Sequence, residues 1–220
     1  MPYLVSSIIA VVTALIILMT RYEADDSAIT TEIERAKSMF ITVDGFVNTY
    51  IQSGGDMFMG ETVETDTYKK INFATLYKNG ILLGSISKDD IKNVSLNDNI
   101  LAENESDKNI FFQSQLQFPS SQIVWQIVPI VSYTVTDYKG KVIDLSKSVG
   151  AGYQLFVDFS KNTTLMSKDA FSENFFGKEI CEKELFGSFI NNATLISSAN
   201  LTLTLDGRNK DGKLACIIFK

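Results

Sequence analysis

The sequence predicts an α+β fold, a long N-terminal helix packed against an antiparallel β-sheet. Three observations carry this. Residues 3–44 contain neither proline nor glycine. Apolar residues then recur at Ile29, Ile33, Ala36, Phe40, Val43, Val47 and Tyr50, in alternating steps of four and three that keep them on one helical face. The later part of the chain holds β-rich runs separated by clusters of Asn, Asp, Gly and Ser.

The helix comes first and organises the rest. From Pro2 to Thr20 there is no charged side chain, and a helix needs about 20 such residues to cross a bilayer. This half is apolar all round, through Tyr3, Leu4, Val5, Ile8, Ile9, Val12, Leu15 and Ile16. The second half has the single apolar stripe and a charged back of Glu32, Glu34, Arg35, Lys37 and Asp44. Ser53-Gly54-Gly55 should end it. A helix of about 50 residues is about 75 Å long. The chain therefore divides into a spine, residues 1–53, with 1–20 as its membrane or filament-core part, and a head, residues 54–220. A sheet needs cover on its faces, so the stripe is expected to pack on the head's sheet; a coiled coil is the alternative.

In the head, residues 56–65 read as a link and Thr67–Lys78 as a short helix closed by Asn79-Gly80. Residues 88–108 are polar and read as a surface excursion. Strands are expected over 110–118, closed by Pro119, and over 122–136, where Pro129 implies a bulge or an edge position. A turn at 137–140 and a short strand at 141–145 follow. Residues 152–160 alternate like a half-buried strand. Residues 167–186 read as helical or irregular, 195–205 as β, 206–212 as a hairpin loop and 214–219 as the last strand.

Composition excludes several functions. The net charge is −6, which disfavours nucleic acid as a partner. The absence of histidine removes His-based triads and most zinc catalysis. No nucleophile elbow, phosphate loop or zinc signature is present. The acidic pairs Asp25-Asp26 and Asp89-Asp90 lack an adjacent nucleophile, base or metal ligand set, and Asp25-Asp26 reads as a solvated face where the helix leaves the bilayer. Asp206–Gly212 has oxygen ligands in a tight loop, but two cations interleave, so a β-turn is the better reading than calcium. Sequons begin at Asn93, Asn104, Asn162, Asn192 and Asn200, as expected by chance in a chain rich in Asn, Ser and Thr. No enzyme activity, cofactor or metal is expected. Cys181 and Cys216 should pair if the head lies outside the cytoplasm; otherwise they read as two buried thiols.

The N-terminus has no basic start and no small-x-small site after Met19, so it is not a standard secretory signal. Arg21 follows the apolar run and no cation precedes it, which leaves orientation open. A spine that is half apolar and half amphipathic, under a sheet domain, resembles the type IV pilins and their pseudopilin relatives. Met1 fits the first residue of a mature pilin, with N-methylation a possible modification there. Val5 stands where the family typically has glutamate. The resemblance implies a structural subunit of a cell-surface filament of the kind used in adhesion and motility. It would wait in the inner membrane before assembly into an extracellular filament. Its partners would be copies of itself, related pilins, the membrane and the assembly machinery. The resemblance also implies a Cys181–Cys216 disulfide stapling the C-terminal segment to the sheet. The rival readings are a membrane-anchored extracytoplasmic sensor or binding domain, and an anchored enzyme.

Overall fold

The computed structural model describes residues 2–57, 70–82, 84, 86–92, 113–129, 134–136, 141–144, 152–167, 177–190, 192–197, 201–206 and 212–220. For residues 2–8, 10, 22, 134–136, 142–144, 192–197 and 201–206 the description is of backbone alone. The helices are α1 (Pro2–Gln52), α2 (Phe73–Lys78) and α3 (Thr163–Met166). The strands are β1 (Ile91–Lys92), β2 (Gln115–Gln117), β3 (Val124–Pro129), β4 (Thr134–Thr136) and β5 (Val142–Asp144). They continue with β6 (Gly152–Asp158), β7 (Ser188–Ile190), β8 (Asn192–Ser197), β9 (Leu201–Asp206) and β10 (Lys213–Phe219).

The spine is one continuous helix, as the unbroken pattern predicts. It stops through backbone chemistry. Gly54 adopts φ +84°, and its N–H donates to Ile51 O while Gly55 N–H donates to Tyr50 O, both at 2.9 Å. These two bonds close the last turn and satisfy carbonyls that would otherwise lack partners.

Six strands form one antiparallel sheet in the order β1–β2–β3–β6–β10–β7. The register puts Trp125, Val157 and Leu214 in one row on one face, with Ile127, Leu155, Cys216 and Phe189 in the next. The α1 stripe covers this face. Ile29, Ala36, Phe40, Val43, Val47 and Tyr50 are buried and Ile33 is half-buried. Phe40 meets Trp125 edge-on, with ring centroids 4.6 Å apart. Helix-on-sheet packing is thus the arrangement; the coiled-coil alternative falls, because the stripe is already occupied within the chain.

Several expectations change. Strand β6 is not half-buried: every residue from Gly152 to Val157 is buried. The second face of the sheet, with Gln126, Val128, Gln154, Phe156, Ala215 and Ile217, is closed as well. Gln154 stands there because its Nε2 donates to Pro129 O at 3.1 Å. Residues 122–136 are not one strand. Pro129 ends β3, which lies inside the sheet rather than at its edge, while β4 pairs with β5 in a separate two-stranded sheet. β8 and β9 form a third sheet. β9 and β10 therefore lie in different sheets and are not two arms of one hairpin.

The second helix starts later than expected. Asn72 caps it by accepting the Thr75 N–H at 2.8 Å, which holds Asn72 itself in an extended conformation. The polar excursion contains a short strand, since Ile91 in β1 is buried and pairs with Leu116. The helical or irregular stretch resolves into a π-helical turn over Ile180–Glu184, with α3 before it and β7 after it. Residues 58–69, 93–112, 137–140, 168–176 and 207–211 lie outside the described residues, and with them most of the expected link, the turn at 137–140 and the loop weighed for calcium.

The disulfide is borne out. Cys181, in the π-helical turn, is bonded to Cys216 in β10, with Cα atoms 5.6 Å apart. Both residues are fully buried. Gly187 makes the closeness possible: a Cβ there would lie 2.7 Å from Cys216 Sγ.

The core predicts a response to alkali. Burial pushes the Tyr50 phenol up to about 12. Burial, and then the neighbouring Asp44 carboxylate, push the Tyr153 phenol up as well. Both are neutral in the fold, while free phenols ionise near 10. The unfolded chain loses protons first, so their contribution is complete below pH about 10. It falls as the pH rises toward about 12. Urea midpoints at pH 8 and pH 11 should drop with alkali, and the drop should shrink in Tyr50→Phe.

Candidate functional site

The two halves of α1 meet opposite fates. From Ile29 onward the stripe is in the core. Before it, each described side chain is exposed. Ile9, Val11, Val12, Leu15, Ile16, Ile17, Leu18 and Met19 are 48–68% exposed. At about 100° per residue they point in every direction round the axis, not along one stripe. One partner helix would cover only one side. A surface apolar on all sides calls for lipid or for several neighbours at once. From Ile9 to Met19, at 1.5 Å per residue, about 15 Å of helix is built this way.

The described threonines of this half are internally satisfied. Thr13 Oγ1 donates to Ile9 O at 2.8 Å, and Thr20 Oγ1 donates to Ile16 O at 3.0 Å. Thr30, Thr31, Thr42 and Thr49 do the same on the second half, so the device is general to α1. Among the described side chains of the apolar half, both hydroxyls, those of Thr13 and Thr20, are bonded in this way. Charge begins at Arg21 and continues through exposed Glu23, Asp25 and Asp26.

Of the residues singled out from sequence, Ile9, Val12, Leu15 and Ile16 all lie exposed on this rod. Tyr3, Leu4, Val5 and Ile8 belong to the same helix by backbone, and Met1 lies outside the described residues. Described side chains of the apolar run begin at Ile9. Among the described residues no helix is long and apolar enough to cross a membrane.

The charged back of α1 needs a correction. Asp44 is not free on the solvent side. Tyr153 Oη donates to its carboxylate at 2.7 Å, Lys220 Nζ lies 2.8 Å away, and Asn48 Nδ2 donates at 3.0 Å. This links the spine to β6 and to the end of β10. Glu32 accepts from Asn162 Nδ2 at 3.1 Å, and Arg35 Nη2 donates to Pro119 O at 3.3 Å. Glu34 and Lys37 form a surface pair, 2.9 Å apart, and Arg35 also lies 3.5 Å from Glu32. Helical spacing accommodates Asn48 with Asp44 and Lys37 with Glu34, but it signals none of the contacts to Tyr153, Lys220, Asn162 and Pro119, each of which lies at least 84 residues away.

Elsewhere the chemistry is structural. Asn162 is buried, caps α3 by accepting the Leu165 N–H at 3.0 Å, and is thereby closed to glycosylation. Asp90 accepts the Ser87 N–H at 2.8 Å and so caps a turn. Among the described residues no group of His, Cys, Asp or Glu could hold a metal ion. An open cleft of about 600 Å³ lies at the C-terminal end of α1, lined by Tyr50, Ser53, Gly54, Gly55, Asp56, Lys70 and Asn79. Its two charges, Lys70 and Asp56, already form an ion pair. Comparison of the chain with family models, with curated proteins and with solved structures finds no match.

Proposed function

We propose that this chain is a structural subunit of a type IV pilus-like filament, held in a membrane by the first half of α1 before assembly. One observation carries the reading. The same continuous helix is buried along one stripe beyond Ile29 and exposes apolar side chains on all sides between Ile9 and Met19. Counted with Pro2–Ile8, the uncharged run reaches the length of a bilayer span. In the membrane, lipid covers it. In the filament, the spines of neighbouring copies replace lipid and keep the same side chains out of water. The head stays outside, where an oxidising compartment suits the Cys181–Cys216 bond. No catalytic step belongs to this function.

The test is shear release of surface filaments from cells that make the protein, followed by mass spectrometry. The chain is expected as a component of the sheared fraction. Recovery only from membranes would replace this reading by that of an anchored domain.

A further inference from the structure

The short helix α2 ends in a turn that depends on one residue pair. The Asn79 N–H donates to Thr75 O, the Gly80 N–H to Tyr77 O and the Ile81 N–H to Leu76 O, each at 3.0 Å. The last two bonds together make a Schellman closure, which needs a left-handed residue between its two arms. Gly80 supplies it at φ +75°, where a side chain would be strained. Leu76 is buried and Ile81 packs against the core, so the turn is fastened on both sides. The fold therefore demands a glycine directly after Asn79.

That demand has a chemical consequence. Asparagine is among the thermally labile side chains, and Asn79 is the one asparagine of the chain that glycine follows. It is exposed and lines the open cleft with Asp56 and Lys70. With no Cβ on Gly80, its backbone nitrogen can reach Asn79 Cγ with the least steric hindrance. The Gly80 N–Cγ bond forms and the nitrogen gives up its proton. The Cγ–Nδ2 bond breaks and Nδ2 leaves as ammonia. Water then opens the cyclic imide at either carbonyl, giving aspartate or, with the main chain routed through the side chain, isoaspartate.

The folded turn holds the reacting atoms apart. At ψ 4° the Gly80 nitrogen nearly eclipses Asn79's own nitrogen and is turned away from its Cβ. Closing the ring requires rotation about the Asn79 Cα–C bond, which breaks the bond from Gly80 to Tyr77 O. We infer that Asn79 is a modification site, converted spontaneously to aspartate and isoaspartate, and that the closing turn of α2 gates the reaction. The inference is independent of the filament reading. Conversion places a carboxylate at the C-terminal end of α2, the end that disfavours negative charge, in a cleft that already holds Asp56. Isoaspartate also lengthens the main chain by one carbon, so the turn cannot reclose as before.

The test incubates the full chain in detergent at mildly alkaline pH, once folded and once in urea. Tryptic peptides are followed by mass spectrometry against an unincubated sample. The peptide covering residues 79–88 should gain the mass of one amide-to-acid exchange and split into two products. The gain should be at least tenfold slower in the folded chain than in urea, and Asn79→Gln should abolish it, since a six-membered ring closes far more slowly. In the folded chain, Asn79 should still convert faster than any other asparagine. No gain at Asn79, or an earlier gain at another asparagine, overturns the site. Equal rates in the folded and unfolded chains overturn the gate.

Discussion

Replacing Phe40 by aspartate unfolds the head. The side chain is fully buried where the stripe meets the sheet, edge-on to Trp125 at 4.6 Å. Removing a buried Phe costs about 3–5 kcal/mol. A carboxylate left in its place without a partner costs several more. The whole stability of a domain this size is about 5–15 kcal/mol. The damage also reaches the Trp125 indole, which is fully buried between Phe40 and Phe118 with no hydrogen-bond partner for its Nε1. A soluble form beginning at Ala28 keeps each buried stripe residue and allows the comparison by thermal melting. Phe40→Asp should give no cooperative transition or a greatly lowered one. Ile41→Asp, one position away and exposed, should melt within a few degrees of the parent. Equal melting of the Phe40→Asp form and its parent would remove the stripe from the core.

Replacing both Cys181 and Cys216 by serine should lower stability by about 2–5 kcal/mol. The bond spans 35 residues and ties the π-helical turn to β10. β10 lies inside the sheet, bonded to β6 on one side and β7 on the other. Without the bond the chain is free to open from its C-terminal strand, and both serine hydroxyls must find partners in a fully buried site. The spine should stay helical, because its stripe does not depend on the bond. Exchange of backbone amides should therefore quicken first in β7 and β10 and last in α1. Alkylation without reduction checks the bond itself: ready labelling of both cysteines in the native protein would show that it does not form. On the filament reading, the serine variant reaches the membrane but is largely missing from the sheared fraction.

What the sequence determined by itself was local and periodic. A run without Pro or Gly over residues 3–44 fixes most of α1, a three–four alternation fixes its buried face and carries it past Gly45, and Gly54-Gly55 fix its end. Each signal is complete within a few turns, because helical hydrogen bonds and facing side chains are at most a few residues apart. The two cysteines read as a pair on the condition that the head lies outside the cytoplasm, with two buried thiols as the alternative.

The tertiary structure decided everything that joins distant segments. Asp44 read as a solvated charge because helical spacing places it off the stripe. Tyr153 and Lys220, 109 and 176 residues away, turn it into a clamp. The alternation of β6 implied a wet face. Burial of the sheet's second face, with Gln154 donating to Pro129, removed the water without changing a residue. Residues 122–136 read as one strand, because β propensity does not say which sheet a residue joins; Pro129 splits the run between two.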